Sequence, residues 1–111
     1  MALVTPNQIF PGYTSDGTVI NIPVADLAEA GLTPAEANAT TGNAMELLRV
    51  MVEKYNMSLN ALAPTARPSR STLTKAAPTI SSSPGVAPGT LRQVYTLAID
   101  LVPTGLEPAA E

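Results

Sequence analysis

The sequence predicts a small α+β fold: a mainly antiparallel sheet of about three strands in β-α-β-β order, one long amphipathic helix, and extended proline-rich arms. Three observations lead there. Residues 44–62 keep a helical period, residues 18–22, 71–77 and 90–102 read as strands, and all eleven prolines fall outside those stretches. With 111 residues the chain is expected to form one domain over 18–106, flanked by an arm at 1–17 and an acidic tail at 107–111. Only four residues are aromatic (Phe10, Tyr13, Tyr55, Tyr95), so the interior must be built from Leu, Ile, Val, Met and Ala and will be thin.

The arm at 1–17 is expected to be extended, because Pro6 and Pro11 remove backbone donors and bias Thr5 and Phe10 away from helix. It carries half of the aromatic residues, so it must either fold back on its own domain or dock on a partner, for which Phe10 and Tyr13 are the candidate anchors. Asp16-Gly17 supplies a turn into a strand, Thr18–Ile22, which Pro23 ends. Ala25 to Ala30 can form one or two helical turns, with Gly31 as the stop. Thr33-Pro34-Ala35-Glu36 then places Thr at N-cap, Pro at N1 and Glu at N3, a capping box that predicts a short helix at 34–38.

Asn43, with Glu46 three residues on, opens the long helix at 44–62. At 100° per residue, Ala44, Met45, Leu47, Leu48, Met51, Val52, Tyr55, Leu59 and Leu62 gather on one broad face, expected to pack on the sheet. Glu46, Arg49, Glu53, Asn56 and Asn60 form the wet face. Val50, Met57 and Ala61 make a second, narrower stripe that the same sheet does not easily cover, so either a loop shields it or another subunit does, which makes these residues the candidate oligomer interface. Residues 63–70 read as an extended linker, 71–77 as a modest strand, 78–89 as a long Pro-Gly loop, and 90–102 as the longest strand.

Charge is divided along the chain. Residues 1–66 hold six acids and two bases, whereas 67–99 hold Arg67, Arg70, Lys75 and Arg92 with no acid. The division suits head-to-tail pairing of copies or an acidic partner, although solvation of an extended segment explains it as well. The total of −3 and the scarcity of stacking aromatics argue against a nucleic-acid partner. No apolar run reaches the ~18 residues of a membrane span, and the opening residues show no basic region followed by an apolar stretch.

Chemistry is poorly served. The absence of His and Cys excludes imidazole bases, thiol nucleophiles and the zinc sites built on them. Ser81-Ser82-Ser83 lack the flanking glycines of a nucleophile elbow, no glycine-rich phosphate loop occurs, and no spacing forces two of Asp26, Glu29, Glu36 and Asp100 onto one wall of a cleft. The sequons at Asn38-Ala39-Thr40 and Asn56-Met57-Ser58 are read as chance matches. No catalytic residue, cofactor, metal or small-molecule substrate is therefore expected, and a structural or interaction role remains.

Two stretches bear on which role. Ile20-Asn21-Ile22-Pro23-Val24 through Gly31-Leu32-Thr33-Pro34-Ala35-Glu36-Ala37 to Thr41-Gly42-Asn43, followed by the amphipathic helix, resembles the N-terminal half of small proteins encoded in cyanophage virion-gene clusters. Leu91-Arg92-Gln93-Val94-Tyr95 through Asp100, closing with Gly105-Leu106-Glu107, is similar to their C-terminal strand and tail. The resemblance implies a virion structural protein assembled in the host cytoplasm, most simply a capsid decoration or cement protein. Such a protein oligomerises and clamps adjacent capsid subunits through extended arms. A head-tail connector, a tail or baseplate component, and a small cellular protein-binding adaptor are the competing roles. The Pro-Gly-rich loop at 78–89 departs from the family pattern.

Overall fold

The computed structural model describes residues 4–105 and 108–109. The fold is α+β, with one long helix and small antiparallel sheets of two strands each. The chain divides into two compact units, Met1–Pro68 and Ser69–Glu111, where a single domain over 18–106 was expected. The boundary lies inside the proline-rich stretch 63–70. Each unit has its own local pairing, so the strands near residue 20 and near residue 95 do not share a sheet.

The first unit begins with α1 (Pro6–Ile9), in the region expected to be an extended arm. Thr5, Pro6 and Gln8 stand at N-cap, N1 and N3, and the Gln8 side-chain oxygen accepts the Thr5 backbone N–H at 2.8 Å. Proline here pre-sets the first helical residue instead of enforcing extension. The turn folds Ile9 and Phe10 inward, to 2% and 8% exposure. The ribbon of β1 (Thr14–Ser15) and β2 (Ile20–Asn21) follows. Its turn is held by Asp16, whose Oδ1 accepts the N–H groups of Thr18 and Val19 at 2.8 Å each, and by Gly17 at φ +88°. The strand expected at 18–22 is thus two residues long and pairs within its own hairpin.

Helix α2 (Val24–Ala28) buries Leu27, and Gly31 at φ +112° turns the chain so that Leu32 is buried too. The Thr33–Glu36 capping box forms: Glu36 Oε1 accepts the Thr33 N–H at 2.9 Å, and Thr33 Oγ1 accepts the Glu36 N–H at 3.3 Å. It caps one turn, without the short helix expected at 34–38. Asn38 ends it, its Oδ1 accepting the N–H groups of Thr40 and Thr41 at 3.0 Å and offering the backbone an alternative to helix. Gly42 then passes close beneath that turn; a Cβ there would lie 2.2 Å from the Glu36 carbonyl and 2.4 Å from the Asn38 carbonyl.

Helix α3 (Ala44–Ala61) starts as expected, with Asn43 Oδ1 accepting the Glu46 N–H at 3.1 Å. Its packing face is shifted from the one expected, keeping Met51 and Leu59 of the broad apolar face against the core while adding positions outside it. The buried positions are Val50, Lys54 and Ser58, four residues apart, and Asn56, which was expected on the wet face; Met51 and Met57 are half-buried. Val50, at 0% exposure, joins Ile9, Phe10, Leu27 and Leu32 in the core. Met45 at 71% and Leu48 at 54%, from the broad apolar face, remain in solvent. The reason lies in the partners: α3 packs against α1 and α2, whose few buried side chains need only a narrow stripe. The end of α3 is also tied down. The 3-10 turn Pro64–Ala66 brings Arg67 back, and its guanidinium donates to the carbonyls of Leu62 and Asn60 at 3.1 Å each.

The second unit is a long hairpin in two consecutive ribbons. β3 (Ser71–Lys75) pairs antiparallel with β6 (Tyr95–Ile99), and β4 (Thr79–Ile80) pairs with β5 (Leu91–Arg92). The strand expected at 90–102 is therefore broken at Gln93-Val94, and the loop expected at 78–89 contributes a strand at its start. Gln93 bridges the break by donating its side-chain amide to the Ala76 carbonyl at 2.6 Å. After β6 the chain folds back, with a bridge between Leu101 and Pro108 and the Ala109 N–H on the Asp100 carbonyl at 2.7 Å. The acidic tail expected at 107–111 falls largely outside the described residues.

Candidate interaction surface

The structure relocates the residues that the sequence nominated for binding. Phe10 is a core residue of the first unit, and Tyr13 is half-buried against the same cluster, so neither is an anchor on a free arm. Val50 is fully buried and unavailable as an oligomer contact; Met57 is half-buried, and Ala61 alone of that stripe is exposed. The aromatic scarcity explains the first correction. A core of five apolar residues cannot spare one of only four aromatic side chains.

The candidate surface lies instead on the second unit, in which no described residue is buried. In an antiparallel ladder, directly opposed residues share a face. Leu73 opposite Leu97, Ser71 opposite Ile99 and Lys75 opposite Tyr95 therefore form one side of the β3–β6 ribbon. Thr72 opposite Ala98 and Thr74 opposite Thr96 form the other. Leu97 is 60% exposed, and Ile99 and Leu101 are open as well. Ile80 and Leu91, opposed in the β4–β5 ribbon, are exposed at 71% and 64%. A two-stranded hairpin is marginal in water unless its apolar face is covered. Exposed β-branched and leucine side chains along such a ribbon make it a candidate interaction surface.

Electrostatics around this hairpin are basic. Arg70, Lys75 and Arg92 lie on it, with the Lys75 ammonium 5.9 Å from the centre of the Tyr95 ring. Arg67, the fourth base of the cluster noted in the sequence, serves the end of α3 instead. Sequence reasoning missed that role, although a base just past a helix end is a recognisable cap.

Carboxylates of the first unit are engaged locally. Hydrogen bonds from the backbone N–H of Val19 and then Thr18 hold the Asp16 carboxyl below its ordinary value. A hydrogen bond from Arg49 does the same for Glu46. Glu29 Oε2 accepts from the buried Lys54 ammonium at 2.8 Å. A shallow cleft of about 200 Å³ lies over Glu36, Asn38, Thr40, Asn43 and Leu47. Its one acid, Glu36, already accepts from both the N–H and the hydroxyl of Thr33 at 2.9 Å, so the cleft's polar atoms hold the loop together. Among the described residues no group of three His, Cys, Asp or Glu side chains could hold a metal ion, and no helix is long and apolar enough to cross a membrane.

No protein-family model matches the chain, and no curated protein or solved structure matches it either.

Proposed function

We propose that this chain is a non-enzymatic virion structural protein, a capsid decoration or cement protein, which folds through its first unit and clamps adjacent capsid subunits with the hairpin of its second. One observation carries the clamping role: Ile80, Leu91, Leu97, Ile99 and Leu101 are all exposed on a hairpin that has no buried residue. Strands from 71 to 80 and from 91 to 99 give such an arm a reach of up to ~30 Å at about 3.3 Å per residue. That is enough to cross a subunit boundary. Docking would cover its apolar face and pair its outer strand edges, the mode in which an extended element adds to another protein's sheet. The virion context rests on the resemblance at 20–43 and 91–107.

Binding to purified empty cyanophage capsids tests the proposal. The wild-type chain should bind at a fixed stoichiometry to assembled capsids and raise their melting temperature. Leu97→Glu and Ile80→Glu should weaken that binding at least tenfold while leaving the helical circular dichroism of the first unit unchanged. Binding that ignores both substitutions, or no binding to assembled capsids, would contradict it.

A further inference from the structure

The charged side chains of the second unit's hairpin fall at particular places. Within residues 71–99 the charged residues are Lys75 and Arg92, both basic and both exposed. Lys75, opposite Tyr95, ends the face of the β3–β6 ribbon that carries Leu73, Leu97 and Ile99. Arg92 lies opposite Thr79 in the next ribbon, beside the exposed Ile80–Leu91 pair. Thr79 follows Lys75 by four residues, so at about 3.3 Å per residue the two basic positions stand no more than ~13 Å apart along the hairpin. At the hairpin's open end the Asp100 N–H donates to the Arg70 carbonyl at 2.8 Å, which brings one residue of each sign together there. The excess of positive charge therefore sits mid-hairpin, among exposed aliphatic side chains.

We infer that the occupant of the hairpin is an extended, acidic segment of another protein. It adds as a strand to the hairpin's edge, sets aliphatic side chains against Ile80, Leu91 and Leu97, and places carboxylates opposite Lys75 and Arg92. The inference rests on reading the hairpin as a docking arm and adds the chemistry of what is docked. Charge excludes the nearest alternatives. Two hairpins meeting edge to edge would bring like cations together, which opposes self-pairing of strands. The first unit of a second copy is acidic, but five of its six carboxylates already accept hydrogen bonds inside their own unit: Asp16 from Thr18, Asp26 from Gly12, Glu29 from Lys54, Glu36 from Thr33 and Glu46 from Arg49. A nucleic acid would meet the two cations yet leave the aliphatic side chains wet, with Tyr95 alone to stack on. A lipid layer would cover the aliphatic side chains but leave the N–H and C=O groups of the strand edges unpaired. A partner strand satisfies all three needs at once, and its carboxylates steer the encounter and fix its register.

Fluorescence anisotropy of a labelled, end-blocked peptide of about ten residues alternating Val with Glu tests it, with the full chain at up to ~1 mM to reach weak complexes. The same peptide with Lys for Glu, phosphatidylserine vesicles and a single-stranded DNA oligonucleotide are the comparison probes. The Glu peptide should bind at least about tenfold more tightly than the Lys peptide, and raising salt from ~50 to ~500 mM should weaken it. Arg92→Glu and Lys75→Glu should each weaken it about tenfold, and Arg92→Lys should keep it. The comparison of peptides and the salt series use the wild-type chain, so they decide even if a variant loses its hairpin. Equal affinity for both peptides, no binding of the Glu peptide, indifference to both substitutions, or tighter binding to the vesicles or the DNA overturns the inference. So does self-association that Arg92→Glu removes. Empty capsids separate this inference from the clamp reading: capsid binding that ignores Arg92→Glu and Lys75→Glu overturns the acidic partner and keeps the clamp, whereas binding of the Glu peptide without capsid binding does the reverse.

Discussion

Replacing Phe10 with Ala separates a core residue from a free-arm anchor. Phe10 is 8% exposed and belongs to a five-residue core with Ile9, Leu27, Leu32 and Val50. Truncating a buried Phe to Ala costs about 3–5 kcal/mol, the lost transfer energy plus the cavity left behind. A unit spanning Met1–Pro68 has a total stability of roughly 3–10 kcal/mol at ~0.05–0.15 kcal/mol per residue. The substitution therefore removes from a third to all of it. Urea titration followed at 222 nm, where α3 dominates, should show the midpoint collapse or the helical signal vanish without denaturant. Val50→Ala should move in the same direction by less. A Phe10→Ala variant whose midpoint lies within experimental error of wild type would refute the core assignment and restore the arm.

Three further outcomes follow from local geometry. Gly42→Ala forces a Cβ against the Glu36 and Asn38 carbonyls, which are backbone and cannot swing away, and should cost at least ~1–3 kcal/mol in a thermal or urea melt. Lys54→Met removes a buried ammonium whose partner Glu29 is largely exposed, and should be neutral or stabilising in the same melt; Glu29→Ala leaves that ammonium unpaired and should lower stability by about 1 kcal/mol or more. Asp16 and Glu46 titrate below their ordinary values of 3.8 and 4.5, so the stability they contribute is fully present above those values. It is lost as pH falls through the lower folded-state values. Urea midpoints should thus be flat from about pH 7 to 5 and decline below about 4.5, and Glu46→Gln should flatten part of that decline; a loss beginning near pH 6 would contradict the assignment.

Much of the local chemistry was legible in the residues. Asn43 and Glu46 mark the start of α3 correctly, Asp16-Gly17 marks its turn, and Thr33-Pro34-Ala35-Glu36 forms the bonds its spacing implies. The same pattern stands at Thr5-Pro6-Asn7-Gln8 and went unread, because two nearby prolines favoured extension over a capped turn. An extended arm leaves open whether Phe10 folds back or docks on a partner; the capped turn at Thr5–Gln8 decides for the core. The orientation of α3 was hidden for a different reason. Its sequence offers two apolar stripes, and the whole of the wider one is covered only when a broad sheet is available; α1 and α2 offer a narrower contact that takes Met51 and Leu59 from it and adds Val50, Lys54 and Ser58. Lys54 lies among core positions because Glu29 neutralises it, and Ser58 because its hydroxyl donates to the Ile9 carbonyl at 2.7 Å. Neither pairing can be read from residues separated by 25 and 49 positions along the chain. The candidate surface is half legible: alternation at 71–75 and 95–99 shows which residues share a face, but not that the face lacks cover.

Amide hydrogen exchange on the free, dilute chain addresses the central division most directly, between a first unit with its own core and a hairpin, without buried residues, that is proposed to dock on a partner. Amides of α3 around Val50 and Lys54 should exchange slowly, whereas those of β3 and β6 should exchange within seconds and become protected only in the capsid-bound chain. Protection of residues 71–75 and 95–99 as strong as that of α3 in the isolated monomer would contradict the account.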